Sequence, residues 1–132
     1  MFMVPIESMA DITQMSVLLV DDDPFTCDIC RIVFQHHALP LEIRVNAAEA
    51  LDYLKYSVPD VIILDLVLPD LDGYRSLEII RQLPKGGACK VVATTAYYTP
   101  TTHQEVMRHG FDGYLPKPFS VDRLIPYLKS LL

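Results

Sequence analysis

The 132-residue sequence has no tryptophan, only five glycines and no run of basic residues. Its eleven lysines and arginines are scattered singly, and the net charge at pH 7 is −6. Binding to DNA or RNA needs clustered positive charge, so a direct nucleic-acid partner is disfavoured. No stretch approaches the roughly 18 consecutive apolar residues of a membrane-spanning helix, and residues 1–15 lack the basic region and long apolar core of a signal peptide. We therefore expect a cytoplasmic protein without a membrane segment.

Cysteine is also scarce, and the three residues form an odd set that fits reduced thiols in the cytoplasm. Cys27 and Cys30 have the C-x-x-C spacing of a redox motif. They lie a turn inside a predicted helix, however, so we favour core packing, and we expect Cys89 to be a loop thiol. A thiol-redox module stays the alternative, and a lowered thiol pKa would distinguish it.

The composition that is present, with 51% hydrophobic and 21% charged residues, is typical of one globular domain. Residues 1–15 show no hydrophobic period, and we interpret them as a loosely ordered N-terminal extension before a domain over 16–132. In that domain strand-like and helix-like segments alternate five times. The predicted strands are 16–20, 41–45, 61–64, 90–96 and 113–119. The predicted helices are 24–39, 46–57, 73–84, 102–110 and 120–132.

The composition of the predicted strands indicates their order in a sheet. The first, third and fourth are apolar throughout, as expected of central parallel strands covered on both faces. The second alternates apolar and charged residues and the fifth carries Pro116, so both belong at edges. Right-handed crossovers then favour a (βα)₅ doubly wound, flavodoxin-like α/β fold with strand order 2-1-3-4-5. In such sheets the functional site lies beyond the carboxyl ends of the central strands.

Polar residues lie at the ends of four of those strands. They are Asp21-Asp22-Asp23 at the first strand, Asp65 at the third, Thr95-Ala96 at the fourth and Lys117-Pro118 at the fifth. Crowded carboxylates raise one another's pKa unless a cation intervenes, and Mg²⁺ prefers such oxygen ligands. No GxxxxGK[ST] phosphate loop is present. The residues instead suit a phosphoryl group carried on a carboxylate.

Four motifs in this order resemble the response-regulator receiver domain of two-component and phosphorelay signalling. They are the acidic cluster after the first strand, "LDLVLPDLDG" (64–73), "TTA" (94–96) and "YLPKPF" (114–119). The resemblance covers about residues 16–132. It implies that Asp65 is the phosphoacceptor and that Asp21 and Asp22 hold Mg²⁺, with Asp22 the favoured direct ligand. It also implies a metal ligand from the backbone carbonyl of Val67.

The resemblance assigns roles to residues of the last two strands as well. Thr95 would hydrogen-bond a phosphoryl oxygen, Lys117 would pair with it electrostatically, and Tyr114 matches the aromatic switch residue. The Lys117-Pro118 bond is expected to be cis. The implied phosphodonor is a histidine kinase or a histidine phosphotransfer protein, and the implied readout is a downstream protein target.

We expect a signalling module that promotes its own phosphorylation and dephosphorylation rather than a metabolic enzyme. We expect a stand-alone receiver, with no output domain of its own, that is a monomer or weak dimer. One alternative is a pseudo-receiver scaffold, against which the set Asp22, Asp65, Thr95 and Lys117 argues. Another is a small phosphoaspartate-type hydrolase using Asp65 or Asp70, because "DLDG" (70–73) matches the DxDG element of haloacid-dehalogenase phosphatases.

Two features depart from the family's usual pattern. Val67 and Tyr97 flank the expected phosphoryl site, two residues beyond the acceptor and two beyond the threonine. An apolar and a bulky aromatic side chain should hinder an attacking water, so we expect slow self-dephosphorylation. Pro126 falls within the last predicted helix and should kink or shift it.

Overall fold

A computed structural model describes residues 15–85 and 88–132. The strands are β1 (Val17–Val20), β2 (Leu41–Arg44), β3 (Val61–Asp65), β4 (Lys90–Thr95) and β5 (Gly113–Pro116). The helices are α1 (Pro24–His36), α2 (Ala47–Leu54), α3 (Gly73–Gln82), α4 (Thr102–Arg108) and α5 (Leu124–Ser130). The N-terminal extension predicted over 1–15 lies outside the described residues except for Met15, which is buried.

The five strands form one parallel sheet in the order β2-β1-β3-β4-β5, which confirms the predicted fold and strand order. Every residue of β1 and β3 is buried, whereas β2 at the edge is partly exposed throughout. This difference follows from helices covering both faces of the central strands. From β1 the chain continues to its neighbour β2 on one side, and from β3 it continues to β4 on the other side. The connections after β1 and β3 therefore lead away from each other and leave a crevice at the carboxyl ends of these two strands.

Alternate strand residues supply two separate apolar layers, because successive side chains point to opposite faces of a sheet. On one face Val17, Leu19 and Ile63 pack with buried residues of α1 and α5. On the other face Leu18 and Ile62 pack with buried residues of α2, α3 and α4. The sheet is thus held rigidly between two helical layers, and its rim is a fixed platform for the polar residues at the strand ends.

Side-chain caps determine where three helices begin. Asp23 caps α1 by accepting from the N–H of Phe25 (3.2 Å), and Asp72 caps α3 by accepting from the N–H of Arg75 (2.9 Å). Asn46 caps α2 by accepting from the N–H of Glu49 (2.8 Å), which confirms the predicted helix start.

The last helix begins at Leu124, so its predicted start at Ser120 was wrong. Residues 120–123 form turns, in which the Ser120 carbonyl accepts from the N–H groups of Arg123 (3.2 Å) and Leu124 (3.0 Å). Pro126 is consequently the third residue of α5. The first-turn N–H groups have no partner within a helix, so the missing N–H of Pro126 costs no bond there and the predicted kink has no cause.

All three cysteines are buried and unpaired. Cys27 and Cys30 pack in the layer beneath α1, as predicted. Cys89 does precede β4 in a loop, but it is buried, and its thiol donates to the Pro59 carbonyl (3.1 Å). Among the residues that the structure describes, no helix is long and apolar enough to cross a membrane.

Candidate functional site

Three carboxylates meet at the carboxyl ends of β1 and β3. Asp21 and Asp22 directly follow β1, and Asp65 is the last residue of β3. One oxygen from each side chain lies within 4.8 Å of the others. Asp21 and Asp65 are buried, while Asp22 is exposed at the rim. The parallel register of β1 and β3 brings together residues that are more than 40 positions apart in sequence.

The ammonium of Lys117 lies between two of these carboxylates. Its Nζ is 2.8 Å from Oδ2 of Asp21 and 3.0 Å from Oδ2 of Asp65, and the side chain is 10% exposed. A third carboxylate, that of Asp23, is 4.0 Å away. Burial acts to lower the pKa of Lys117, but the hydrogen bonds to Asp21 and Asp65 outweigh it and raise the pKa above its usual value. The lysine is therefore a fixed positive charge inside the cluster.

The Lys117-Pro118 peptide bond is cis, as the family resemblance implied. Lys117 follows β5 directly, and its N–H donates to the Thr95 carbonyl (3.0 Å). This bond extends the pairing of β4 and β5 by one residue at the rim.

Burial raises the pKa of Asp21 to about 6. The hydrogen bond from Lys117 and that from the N–H of Asp23 (2.9 Å) oppose this rise, and the charge of Asp65 adds to it. The cluster holds three carboxylates and one lysine, so it keeps an excess of negative charge. Oxygen donors with excess negative charge and one open side suit a hard divalent cation such as Mg²⁺, which keeps several waters. The residues present therefore fit a magnesium ion.

Both oxygens of Asp65 have hydrogen-bond donors. Oδ1 accepts from the N–H of Val67 (2.9 Å), and Oδ2 accepts from Lys117 (3.0 Å). These two bonds orient the carboxylate at the end of β3. Val67 thus orients Asp65 through its backbone N–H, and this bond does not depend on which side chain stands at position 67.

Thr95 ends β4 beside this cluster, because the preceding Thr94 is in register with Asp65. It is buried, and its Oγ1 accepts from the N–H of Tyr97 (3.0 Å). The side chains of the two flanking residues are largely exposed, 54% for Val67 and 80% for Tyr97. They follow Asp65 and Thr95 by two residues each, and their side chains are open to solvent.

Tyr114 lies in β5, three residues before Lys117. Its ring contacts that of His103 on α4 (5.4 Å between centroids), and its hydroxyl is buried without a hydrogen-bond partner among the described residues. Burial also raises the pKa of this phenol. The N–H of Tyr114 donates to the hydroxyl of Tyr127 on α5 (2.8 Å). Sequence reasoning did not find Tyr127, because no local pattern links it to β5.

The "DLDG" segment lies outside the carboxylate cluster. Both oxygens of Asp70 accept from the N–H groups that begin α2, those of Ala47 and Ala48 (2.9 Å each), and Asp72 caps α3. The bonds to the Ala47 and Ala48 amides hold the pKa of Asp70 below its usual value. Asp70 and Asp72 thus cap helices α2 and α3, respectively. The cap on α2 connects loops 23 residues apart and had no sequence signal.

Comparison with known sequences adds independent support. The profile of the response regulator receiver domain matches residues 17–129. An uncharacterized 14.6 kDa protein encoded in the sodA1 3′ region of Leptolyngbya boryana is 36% identical over 117 residues, which is 89% of each chain. The response regulator MprA of Mycobacterium avium is 33% identical over 119 residues. That match covers 89% of this chain but 51% of MprA, so the chain spans about half the length of this relative.

Solved structures show the same architecture. The chemotaxis response regulator CheY4 of Vibrio cholerae superposes with a TM-score of 0.82 at 27% identity, covering 91% of this chain and 100% of that one. The receiver domain of the Francisella response regulator 1452 superposes with a TM-score of 0.77 at 31% identity, covering 88% and 94%. Profile, relatives and fold agree: the chain belongs to the response regulator receiver domain family, the signalling modules of two-component systems that interact with histidine kinases and downstream targets.

Proposed function

We propose that Asp65 accepts a phosphoryl group from a phosphohistidine, carried by a histidine kinase or a histidine phosphotransfer protein, in a Mg²⁺-dependent reaction. The observation that carries this proposal is the position of Lys117. Its ammonium contacts the buried carboxylates of Asp21 and Asp65 together, while the exposed Asp22 leaves the cluster open on one side. A nucleophilic carboxylate beside a fixed cation is the arrangement that aspartyl phosphate formation requires.

In the transfer step a carboxylate oxygen of Asp65 attacks the phosphorus of the phosphohistidine. The new O–P bond forms as the N–P bond breaks, and the bonding electron pair leaves with the imidazole nitrogen. Lys117 would then pair with a phosphoryl oxygen, and the hydroxyl of Thr95 would donate a hydrogen bond to another. In a separate hydrolysis step, water attacks the phosphorus, the O–P bond to Asp65 breaks, its electron pair returns to the carboxylate, and inorganic phosphate leaves with the water's oxygen while the proton passes to solvent.

The metal would be held by the carboxylates of Asp21, Asp22 and Asp65 and by the backbone carbonyl of Val67. Magnesium bound there supplies positive charge that stabilises the phosphoryl oxygens during transfer. Asp22 is the exposed member of the set, so it offers the most accessible ligand. Asp21 is buried against Lys117, and its main contribution is to hold that lysine and the ion in one place.

Phosphorylation would shift an existing equilibrium toward a partner-binding state. The residues that connect the site to the surface are Thr95 and Tyr114, on the neighbouring strands β4 and β5. Once a phosphoryl oxygen engages Thr95, the side chain of Tyr114 would repack. The buried hydroxyl of Tyr114 has no hydrogen-bond partner among residues 15–85 and 88–132, so repacking of this ring breaks no side-chain hydrogen bond within that part of the chain.

Incubation with Mg²⁺ and acetyl phosphate tests the proposal. We expect intact-mass spectrometry to detect a single phosphoryl adduct on the wild-type protein, formed as acetate leaves. Asp65→Asn should abolish the adduct, and omission of Mg²⁺ should strongly reduce it. The matched control is Asp70→Asn, in the same loop but bonded to α2, which should be labelled like wild type.

Three results would contradict the proposal. Equal labelling of wild type and Asp65→Asn would exclude Asp65 as the acceptor. Loss of the adduct in Asp70→Asn with its retention in Asp65→Asn would instead support the phosphatase-like alternative. No labelling of any variant at saturating Mg²⁺ would favour a pseudo-receiver scaffold.

A further inference from the structure

Strand β5 has one free edge, because it lies at the end of the sheet and pairs with β4 alone among the described strands. The N–H of Lys117 donates toward β4, and successive residues of a strand direct their N–H groups to opposite sides. Positions 114 and 116 therefore face the free edge. Residue 116 is a proline and has no N–H to offer. The N–H of Tyr114 is thus the strand donor that needs a partner there.

The hydroxyl of Tyr127 is that partner, at 2.8 Å from the Tyr114 nitrogen. Gly113 makes the approach possible, because a Cβ at that position would collide with the Tyr127 hydroxyl and lie 3.3 Å from Cδ1 of Leu131. Gly113, which has no side chain, therefore leaves the space that the Tyr127 phenol occupies. Through this phenol α5 packs closely against β5.

We propose that Tyr127 is a positioning residue that couples α5 to the switch strand β5. This inference rests on the proposed function, since it concerns how the state of Asp65 reaches the surface. Its hydrogen bond joins α5 to the backbone of Tyr114, the residue whose side chain is proposed to repack. A displacement of that backbone is transmitted to α5 through the phenol, rather than absorbed at a loose strand edge.

The packing of α5 supports coupling over simple protection of an edge. Leu124, Ile125 and Leu128 bury one face of the helix in the layer shared with α1. Because these residues anchor α5 on the sheet, a displacement of the Tyr114 backbone is expected to act on the packed helix through the Tyr127 phenol. If the Tyr127 hydroxyl only covered the free edge of β5, its loss would not change how α5 responds to phosphorylation.

The test uses beryllofluoride with Mg²⁺, which mimics the phosphoryl group on the full chain, and follows backbone amide chemical shifts by NMR. In wild type we expect shifts at residues 65–67 and 95–97 and also along α5. In Tyr127→Phe, which keeps the ring but loses the hydroxyl, the first two sets should respond as in wild type. The shifts along α5 should fall to half or less. Amide exchange at Tyr114 should accelerate about two- to tenfold, as expected for one lost hydrogen bond.

Tyr56→Phe is the matched control, since it removes the same hydroxyl from a ring that is 83% exposed. It should respond like wild type throughout. An α5 response in Tyr127→Phe equal to that of wild type would overturn the inference. No response at residues 65–67 in wild type would instead overturn the proposed function, so the two failures are distinguishable.

A second variant tests the contact itself if the α5 signals are weak. Gly113→Ala should lower the melting temperature of the wild-type protein, because its Cβ collides with the Tyr127 hydroxyl. In the Tyr127→Phe background the same substitution should lower it by less. Equal losses in both backgrounds would show that the hydroxyl does not occupy this place in solution, and would overturn the inference.

Discussion

The ammonium of Lys117 lies 3.0 Å from Oδ2 of Asp65, although 52 residues separate them in sequence. The same nitrogen lies 2.8 Å from Oδ2 of Asp21. One nearly buried lysine is therefore the nearest cation to two buried carboxylates. A buried carboxylate is costly unless it is paired, so the stability of the chain depends on the lysine that we propose for phosphoryl binding.

Lys117→Met should destabilise the protein by about 3 kcal/mol, because it leaves Asp21 and Asp65 without their cation. Urea unfolding without added metal measures this loss. Saturating Mg²⁺ should recover part of it, since the ion can replace the missing positive charge. Lys129→Met is the control, an exposed lysine on α5, and should change stability little. If both variants lost the same free energy of unfolding, the ion pairs of Lys117 would make no specific contribution to stability.

Asp22→Asn should remove the stabilisation that Mg²⁺ gives to the folded state. For wild type we expect a gain of about 1.4 kcal/mol at a tenfold excess of Mg²⁺ over its Kd, because the ion binds the assembled carboxylates. Thermal unfolding with and without Mg²⁺ measures the gain. Asp22 is exposed, so the variant should unfold near the wild-type temperature without metal. Asp28→Asn, a control on the exposed face of α1, should keep the full Mg²⁺ effect.

Tyr97→Ala should shorten the lifetime of the acyl phosphate several-fold. The ring of Tyr97 is 80% exposed at the rim of the site, free to fold over a phosphoryl group and hinder an attacking water. Decay of the phosphorylated protein after removal of the phosphodonor gives the lifetime. Tyr98→Ala, which truncates the next ring along the chain, should have a smaller effect. An unchanged lifetime in Tyr97→Ala would contradict the hypothesis that this ring shields the phosphoryl group from water.

Alkaline pH should destabilise the fold through its buried thiols. Burial raises the pKa of Cys30 to about 12, compared with an ordinary value of 9.0. Above pH 9 the unfolded chain loses this proton while the folded chain retains it, so stability falls as the pH rises, by up to about 1.4 kcal/mol per pH unit for this thiol. Below pH 9 the Cys30 thiol is protonated in both the folded and the unfolded chain, so the stabilisation linked to its raised pKa is fully present.

Urea unfolding of wild type and Cys30→Ala at several pH values measures this effect. The loss above pH 9 should be shallower in Cys30→Ala. Val33→Ala is the control, because it truncates a buried residue in the same layer without removing a titratable group. It should lower stability by a similar amount at every pH. Parallel curves for wild type and Cys30→Ala would show that this thiol titrates alike in both states.

The C-x-x-C spacing shows how a local pattern can suggest chemistry that the environment does not support. Burial raises the pKa of Cys27 and of Cys30, whereas a reactive thiol needs a lowered pKa. The sequence placed both residues inside a helix, and this position already favoured packing. Their degree of burial depends on α1 lying against the sheet, which is a tertiary property.

The sequence by itself determined the fold. Hydrophobic periodicity is a local property, so five strands, five helices and the edge position of β2 and β5 could be predicted from it. Because parallel strands direct their carboxyl ends to one rim, the predictions that Asp21, Asp22, Asp65 and Lys117 converge followed from the strand order alone. The caps at Asp23 and Asn46 were also local, since each lies directly before its helix.

Tertiary structure decided the contacts that join elements without a shared pattern. The hydroxyl of Tyr127 meets the N–H of Tyr114, and Asp70 caps the helix that begins at Ala47. The start of α5 at Leu124 also differs from its local signal. Each of these depends on how a loop closes and how a helix seats on the sheet, which are set by packing between distant residues. Hydrophobic periodicity specifies which face of a helix or strand is buried. The side-chain contacts between elements are determined only when the helices pack on the sheet.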